Sequence, residues 1–193
     1  RRVPLTNATL RALREGGRGG LCFGTLVVGT PRVRAPGARG GIDPRLIDRF
    51  AAFAASAMRL PPPPPTVAGV LRPCVGAMVV RNGRRRVLNR GALAEALGAA
   101  DGPLPGGVAL LDFDGMGVRA QAAAVRAGGF DAVLGMQGAG MTNALFAPRG
   151  AAVAVLHQWG AGGDPFRQLL GQRGPYGTWL NENRSASFAD EER

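Results

Sequence analysis

Residues 130–146 read FDAVLGMQGAGMTNALF, and this stretch decides the fold. The apolar residues 132–134 predict a short strand, which the glycine at position 135 ends. Gly138 and Gly140 then lead into MTNALF at 141–146, which predicts a helical turn. A strand, a glycine-rich turn and a helix start point several backbone N–H groups at one place, an arrangement that binds anions. The stretch therefore predicts a strand–turn–helix unit with an anion site in its turn.

The same alternation extends over the second half of the chain. Apolar runs predict strands at 75–80, 108–111, 132–134, 151–156 and 176–180, and helical spacing predicts helices near 93–97, 118–127, 141–146 and 166–170. Strands that alternate with helices through short connections predict an α/β fold, a Rossmann-like doubly wound parallel sheet with right-handed crossovers. Ligands of such sheets bind at the carboxyl ends of the strands. The basic turn 81–86 and the glycine turn 135–140 both fall there.

A helix and a proline run precede this region. Asp43 and Pro44 form an N-cap and first helical position, which predicts a helix to about Met58. Five consecutive prolines, 61–65, end it and make a stiff connector, so we expect one domain in 1–65 and another in 66–193. The apolar residues expected on one buried helix face are Leu46, Ile47, Phe50, Phe53, Ala54 and Ala57.

The composition limits the classes of partner. The net charge is +11, and every one of the 24 basic residues is arginine, which indicates a compositional bias rather than a basic groove. One tyrosine and two tryptophans offer few stacking platforms, so we expect no nucleic-acid binding. Cys22 and Cys74 predict two buried thiols, with a disulfide as the alternative. His157 is the single histidine, so we expect no zinc site built from protein ligands. We interpret it as structural or exposed.

The two turns suggest a diphosphate site. Gly138 and Gly140 let the backbone approach a ligand without a Cβ in the way, while Thr142 and Asn143 add side-chain donors. Arginines of the 81–86 turn can neutralise the same anion with bidentate geometry. The turn is not a P-loop, since it lacks the GKS or GKT sequence. The alternative is structural: a glycine turn that permits tight strand–helix packing, beside a solvated arginine turn.

At this point the chain resembles a known family. GMQGAGMTNALF at 135–146 resembles the signature GMHGAG-[LM]-TN-x-LF of the family-61 glycosyltransferases. Four further blocks are similar in order and spacing: CF with VVG at 22–29, Arg81 with RRVLN at 85–89, DF at 112–113 with Gln121, and RG at 173–174 with Tyr176 and Trp179. The resemblance spans about 21–183. The last block is most similar to the EGF-domain-specific O-linked N-acetylglucosamine transferases.

The resemblance implies a fold and a site. Such enzymes have the GT-B architecture, and this chain resembles its nucleotide-sugar-binding half, preceded by the end of the first Rossmann-like half and a linker helix. The chain begins with Arg1, and we expect it to be the carboxy-terminal part of a longer catalytic region. The implied donor- and diphosphate-binding residues are Arg81, Arg85, Arg86, Gln137, Gly138, Ala139, Gly140, Met141, Thr142 and Asn143.

The resemblance also implies a reaction. A UDP-sugar, with N-acetylglucosamine as the first expectation, would donate its sugar with inversion to a protein Ser/Thr hydroxyl or a glycan. UDP-xylose and a glycan acceptor are the alternative. No metal or other cofactor is expected, and the general base is expected outside this chain. Residence in the endoplasmic reticulum lumen or Golgi is implied, with any membrane anchor upstream.

One residue departs from the signature. The family's histidine is Gln137 here. Glutamine donates and accepts hydrogen bonds but carries no positive charge against phosphate. The substitution is compatible with altered donor choice or with a catalytically inactive Rossmann-like module, which stays the second hypothesis.

Overall fold

Strands and helices alternate along the chain, as the sequence predicts. The computed structural model describes residues 44–64, 72–83, 86–160 and 164–182. All of them belong to one of two compact units, 40–193. The elements are α1 (Pro44–Ala57), β1 (Gly76–Val80), α2 (Arg90–Gly98), β2 (Val108–Asp112), α3 (Val118–Gly128), β3 (Ala132–Met136), a 3₁₀ helix (Ala139–Phe146), β4 (Ala152–His157), α4 (Pro165–Leu170) and β5 (Tyr176–Leu180).

The five strands form one sheet in the order β2-β1-β3-β4-β5. Every neighbouring pair is parallel. This confirms the predicted α/β fold with a parallel sheet. The chain passes from β1 to β2 at the edge and then crosses back to β3 on the other side of β1. The order therefore reverses between β1 and β3, and in doubly wound sheets this switch point is where the ligand crevice opens.

The two faces of the sheet are covered unequally. On one face, strand residues pack against α1, α3, the 3₁₀ helix and α4; these strand residues are Ala77, Val79, Val133, Val153 and Val155. On the other face, Met78, Val80 and Leu134 pack against α2. The residues of β1 are buried on both faces, which is why its sequence is a continuous apolar run rather than an alternating one. β1 is thus packed on both sides although it is only the second strand from the edge of the sheet.

The buried face of α1 differs from the expected one. Ile47, Ala51 and Ala55 are buried, whereas three large side chains are half exposed: Leu46 (55%), Phe50 (55%) and Phe53 (56%). Two overlapping apolar stripes satisfy helical spacing in this sequence, and the sequence prediction was wrong about Leu46, Phe50, Phe53 and Ala57, which are all exposed. The stripe with the small alanines lets the helix backbone approach the core closely. In this rotation Asp48 forms an ion pair with Arg173, at 3.0 Å.

The element after β3 is a 3₁₀ helix of 8 residues rather than an α-helix. Runs of this length are uncommon, because 3₁₀ hydrogen bonds have poorer geometry. Here tertiary packing stabilises the run, since Met141, Ala144, Leu145 and Phe146 are all buried in the core. The helix begins two residues earlier than predicted, so Ala139 and Gly140 form its first turn.

One of the two cysteines differs from the sequence prediction. Cys74 is free and exposed rather than buried. Cys22 lies outside the described residues. Among the described residues, no three His, Cys, Asp or Glu side chains are grouped to hold a metal ion. No described helix is long and apolar enough to cross a membrane.

Candidate anion-binding site

Arg81 and Gly138 meet at the switch point of the sheet. Arg81 directly follows β1, and Gly138 lies two residues after β3. A Cβ on Gly138 would collide with Nη1 of Arg81 and would lie 3.3 Å from its Cζ, so the guanidinium rests against the glycine backbone. Within the described part of the chain, Arg81 Nη1 is buried without a hydrogen-bond partner. A buried donor without a partner is costly. Arg81 is therefore a candidate for binding an anion.

Gly140 lets the backbone lie directly on the core. A Cβ there would be 3.0 Å from Val79 Cγ1 and 3.4 Å from Phe113 Cδ2. The first hydrogen bond of the 3₁₀ helix runs from Met141 N to Gly138 O, at 3.0 Å. The N–H groups of Gly138, Ala139 and Gly140 precede that bond, so the helix itself supplies them with no acceptor. The first turn thus presents backbone donors beside the Arg81 guanidinium.

Two of the predicted site residues face the core instead. Met141 is fully buried, and its Sδ lies 2.9 Å from the position that a Cβ on Gly135 would take. Asn143 is 5% exposed. Its amide Nδ2 donates to Gln121 Oε1 at 2.9 Å and to Gly140 O at 3.2 Å. Both amide hydrogens of Asn143 are therefore used within the protein.

Three of the other predicted residues, Gln137, Ala139 and Thr142, lie in the segment that directly follows β3. Gln137 N donates to Leu156 O at 2.8 Å and so continues the β3–β4 ladder. Ala139 and Thr142 are exposed on the first turns of the 3₁₀ helix. Arg86 is exposed, and Arg85 lies outside the described residues. The structure thus brings together Arg81, Gln137, Gly138, Ala139 and Gly140, with Thr142 nearby.

A polar cluster that the sequence reasoning did not propose as a site borders the crevice on the β2 side. Asn82 Nδ2 donates to Asp112 Oδ2 at 2.6 Å and to Asp114 Oδ2 at 3.1 Å. Arg90 donates to Asn82 Oδ1 at 2.8 Å. The backbone N–H of Asp114, then Asn82 and the charge of Arg90 lower the pKa of Asp112. The signal available in the sequence was a set of polar residues directly after β1 and β2.

A second cluster joins β4, α4 and β5. The Tyr176 hydroxyl donates to both carboxylate oxygens of Asp164, at 2.8 Å and 2.7 Å. Asp164 also caps α4 by accepting from Phe166 N at 3.1 Å. His157 is 6% exposed, and its Nε2 lies 4.0 Å from Asp164 Oδ1. The histidine is thus buried rather than exposed, one residue beyond the Met136–Leu156 pair of the β3–β4 ladder.

The phenol of Tyr176 should titrate above the ordinary tyrosine value of about 10. Burial of Tyr176, its hydrogen bond to Asp164 and the negative charge of Asp164 raise the pKa of the phenol, while Arg167 lowers it. Because the folded-state pKa is raised, the contribution to stability is complete below pH ~10 and is lost as the pH rises through the folded value. Tyr176 is the single tyrosine of the chain, so phenolate absorbance near 295 nm reports it directly. A midpoint at or below about 10 in the folded protein would contradict the partly buried contact between Tyr176 and Asp164.

The fold and the candidate site together define a class of protein. Neither a protein-family model nor a curated protein sequence gives a significant match to this chain. The structure shows an α/β protein with five parallel strands, compatible with a Rossmann-like domain. Its candidate site is an anion-binding crevice between the carboxyl ends of β1 and β3.

Proposed function

We propose that this chain binds the nucleotide sugar in a metal-independent, inverting glycosyltransferase of the GT-B architecture. The observation that carries the proposal is the buried Arg81 Nη1, which lies against Gly138 at the switch point of the sheet and has no hydrogen-bond partner in the described part of the chain. An arginine fork and the first N–H groups of a 3₁₀ helix, for which the helix itself offers no acceptor, are complementary to a diphosphate. The sequence GMQGAGMTNALF resembles the family-61 signature, and this resemblance leads us to propose the diphosphate of a UDP-sugar as the anion.

In the proposed reaction, the acceptor hydroxyl oxygen attacks the anomeric carbon of the sugar. The bond from that carbon to the phosphate oxygen breaks, and UDP leaves with the electron pair. The hydroxyl proton goes to a general base, which we expect in the other half of the enzyme. The guanidinium of Arg81 and the N–H groups of the 138–140 turn stabilise the negative charge that develops on the leaving diphosphate. Arg85 and Arg86 follow Arg81 along the chain, in the segment 81–86, and are proposed to add positive charge at the diphosphate.

The substrates and setting follow from the resemblance alone. N-acetylglucosamine transfer to a protein Ser/Thr hydroxyl is proposed first, since the RG, Tyr176 and Trp179 block is most similar to the EGF-directed enzymes. UDP-xylose with a glycan acceptor is second. In this proposal 1–65 holds the end of the acceptor half and a linker helix, and the enzyme acts in the endoplasmic reticulum lumen or Golgi.

Gln137 supports the competing proposal of a non-catalytic module that still binds UDP. Its amide cannot place a positive charge at the turn, so the charge against phosphate comes from arginine. The two proposals differ in one measurement. Sugar transfer from a UDP-sugar to a peptide or glycan acceptor by the purified protein supports the enzyme, whereas UDP binding without transfer to any acceptor supports the module.

Replacing Gly138 with alanine tests the diphosphate site. The new Cβ would occupy the position of Arg81 Nη1 and displace the guanidinium. We expect UDP affinity, measured by calorimetry, to fall about 10-fold or more, since a charge-assisted hydrogen bond is lost. The displaced group is the end of a flexible side chain, so the melting temperature should change little.

Gly91→Ala provides the matched control. Gly91 lies in α2, and nothing lies within 4 Å of a Cβ built there. This variant should bind UDP like the wild type and should be as stable or slightly more stable, because alanine is the better helix former. Equal UDP affinity in Gly138→Ala and Gly91→Ala would remove Gly138 from the site.

A further inference from the structure

A chain of side-chain hydrogen bonds runs from the β2–α3 loop to the glycine turn. Gln121 Nε2, on α3, donates to Met116 O at 2.7 Å. Gln121 Oε1 accepts from Asn143 Nδ2 at 2.9 Å, and Asn143 Nδ2 also donates to Gly140 O at 3.2 Å. Asn143 is buried, and Gln121 is partly buried. A buried polar network in which each partner is satisfied is rigid and holds the elements that it joins in one geometry.

The network fixes one peptide plane of the turn from both ends. The carbonyl of the Gly140–Met141 peptide accepts from Asn143, and the N–H of the same peptide donates to Gly138 O at 3.0 Å. Glycine restricts the backbone least of all residues, so a turn with Gly138 and Gly140 needs an external constraint to hold its N–H groups in one direction. Phe113, 9% exposed, supports Gly140 from the β2–α3 loop, at 3.4 Å from a Cβ built on that glycine.

We propose that Gln121 is a positioning residue for the anion site and acts through Asn143. Gln121 orients the buried amide of Asn143, and Asn143 orients the Gly140 carbonyl. Together they preset the direction of the N–H groups at 138–140 before the ligand arrives. Asn143 accordingly supports the turn from the protein interior and donates no hydrogen bond to the diphosphate. The identity of the ligand, UDP, rests on the proposed function.

The test replaces Gln121 with methionine, which keeps the length of the side chain and removes both hydrogen bonds. We expect UDP affinity to fall about 5- to 10-fold, the effect of losing roughly one neutral hydrogen bond. In the absence of ligand, the amide resonances of Gly138 and Gly140 should shift and their hydrogen exchange should accelerate. Gln168→Met is the matched control, because Gln168 is exposed on α4. It should change neither property.

A double variant separates positioning from simple stabilisation. Gln121→Met together with Asn143→Leu replaces both polar partners with apolar groups of similar size, which can restore stability. If the network positions the turn, the double variant binds UDP as weakly as Gln121→Met even when its melting temperature recovers. Recovery of UDP affinity together with stability would overturn the inference.

The failure of this inference and the failure of the proposed function give different results. Wild-type protein that does not bind UDP contradicts the proposed function, yet the Gly138 and Gly140 resonances of the ligand-free protein still report the network. Unchanged glycine resonances and exchange rates in Gln121→Met would overturn the positioning role, whatever the affinity for UDP.

Discussion

Arg81→Ala is expected to weaken UDP binding by about 30- to 100-fold, the equivalent of one or two hydrogen bonds between charged groups. The same substitution should leave the free energy of unfolding unchanged or raise it slightly. The reason is that Arg81 Nη1 is buried and has no hydrogen-bond partner among the described residues, so it adds no hydrogen bond to the folded protein and bears a desolvation cost. Loss of binding without loss of stability is the pattern of a residue kept for a ligand.

Calorimetry with UDP and chemical denaturation measure the two quantities on the same samples. Arg149→Ala is the control, because it removes the same charge from an exposed residue (71% of the side chain) in the loop before β4, at the amino-terminal edge of the sheet. Arg81→Lys should recover only part of the affinity, since an ammonium group keeps the charge but loses the planar fork. If Arg81→Ala and Arg149→Ala bind UDP equally, the anion site does not involve Arg81.

Arg173→Ala should destabilise the protein by about 2–4 kcal/mol, as expected when a partly buried charged network loses its central member. Arg173 Nε donates to Asp48 Oδ1 at 3.0 Å, and Nη1 donates to the carbonyl oxygen of Leu145 and, at 3.5 Å, to that of Ala147. Only 14% of the arginine side chain is exposed. Its removal leaves Asp48 and the carbonyl end of the 3₁₀ helix without this donor and releases α1 from the core.

The same carboxylate supplies a matched control. Arg149 Nη1 lies 3.2 Å from Asp48 Oδ2, and its side chain is 71% exposed. Arg149→Ala should cost no more than about 0.5 kcal/mol, because exposed ion pairs contribute little. Urea denaturation followed by tryptophan fluorescence measures both variants. Equal destabilisation by the two substitutions would show that the contacts of Arg173 with the backbone carbonyls contribute nothing.

Local patterns were sufficient to predict the elements. Continuous apolar runs such as GAMVV at 76–80 indicate strands buried on both faces, and each of the five predicted strands is present. Glycines and prolines between the runs marked the connections. The turn after β3 was also predictable, because closely spaced glycines end a strand and favour a turn. What the pattern could not predict was helix type: packing of Met141 and its neighbours made the segment a 3₁₀ helix.

Side-chain direction was the part that local patterns could not predict. The position of Asn143 just after the glycine turn predicts a donor to the ligand. In the structure, however, its amide donates hydrogen bonds to Gln121 and Gly140. On α1, the sequence allowed two apolar stripes, and the ion pair from Asp48 to Arg173, 125 residues apart, accompanies the burial of the alanine stripe. Such partners are distant along the chain, so no local window contains both.

By itself, the sequence determined the order of strands and helices, the parallel sheet and the place of the glycine turn at a strand's carboxyl end. These follow from periodicity and from backbone preferences, which act over a few residues. Tertiary structure alone decided that β1 and β3 lie side by side, so that the guanidinium of Arg81 reaches Gly138 across 57 residues of chain. It also decided which polar side chains are paired within the described residues, because the partners of a donor such as Asn143 lie on elements distant in sequence.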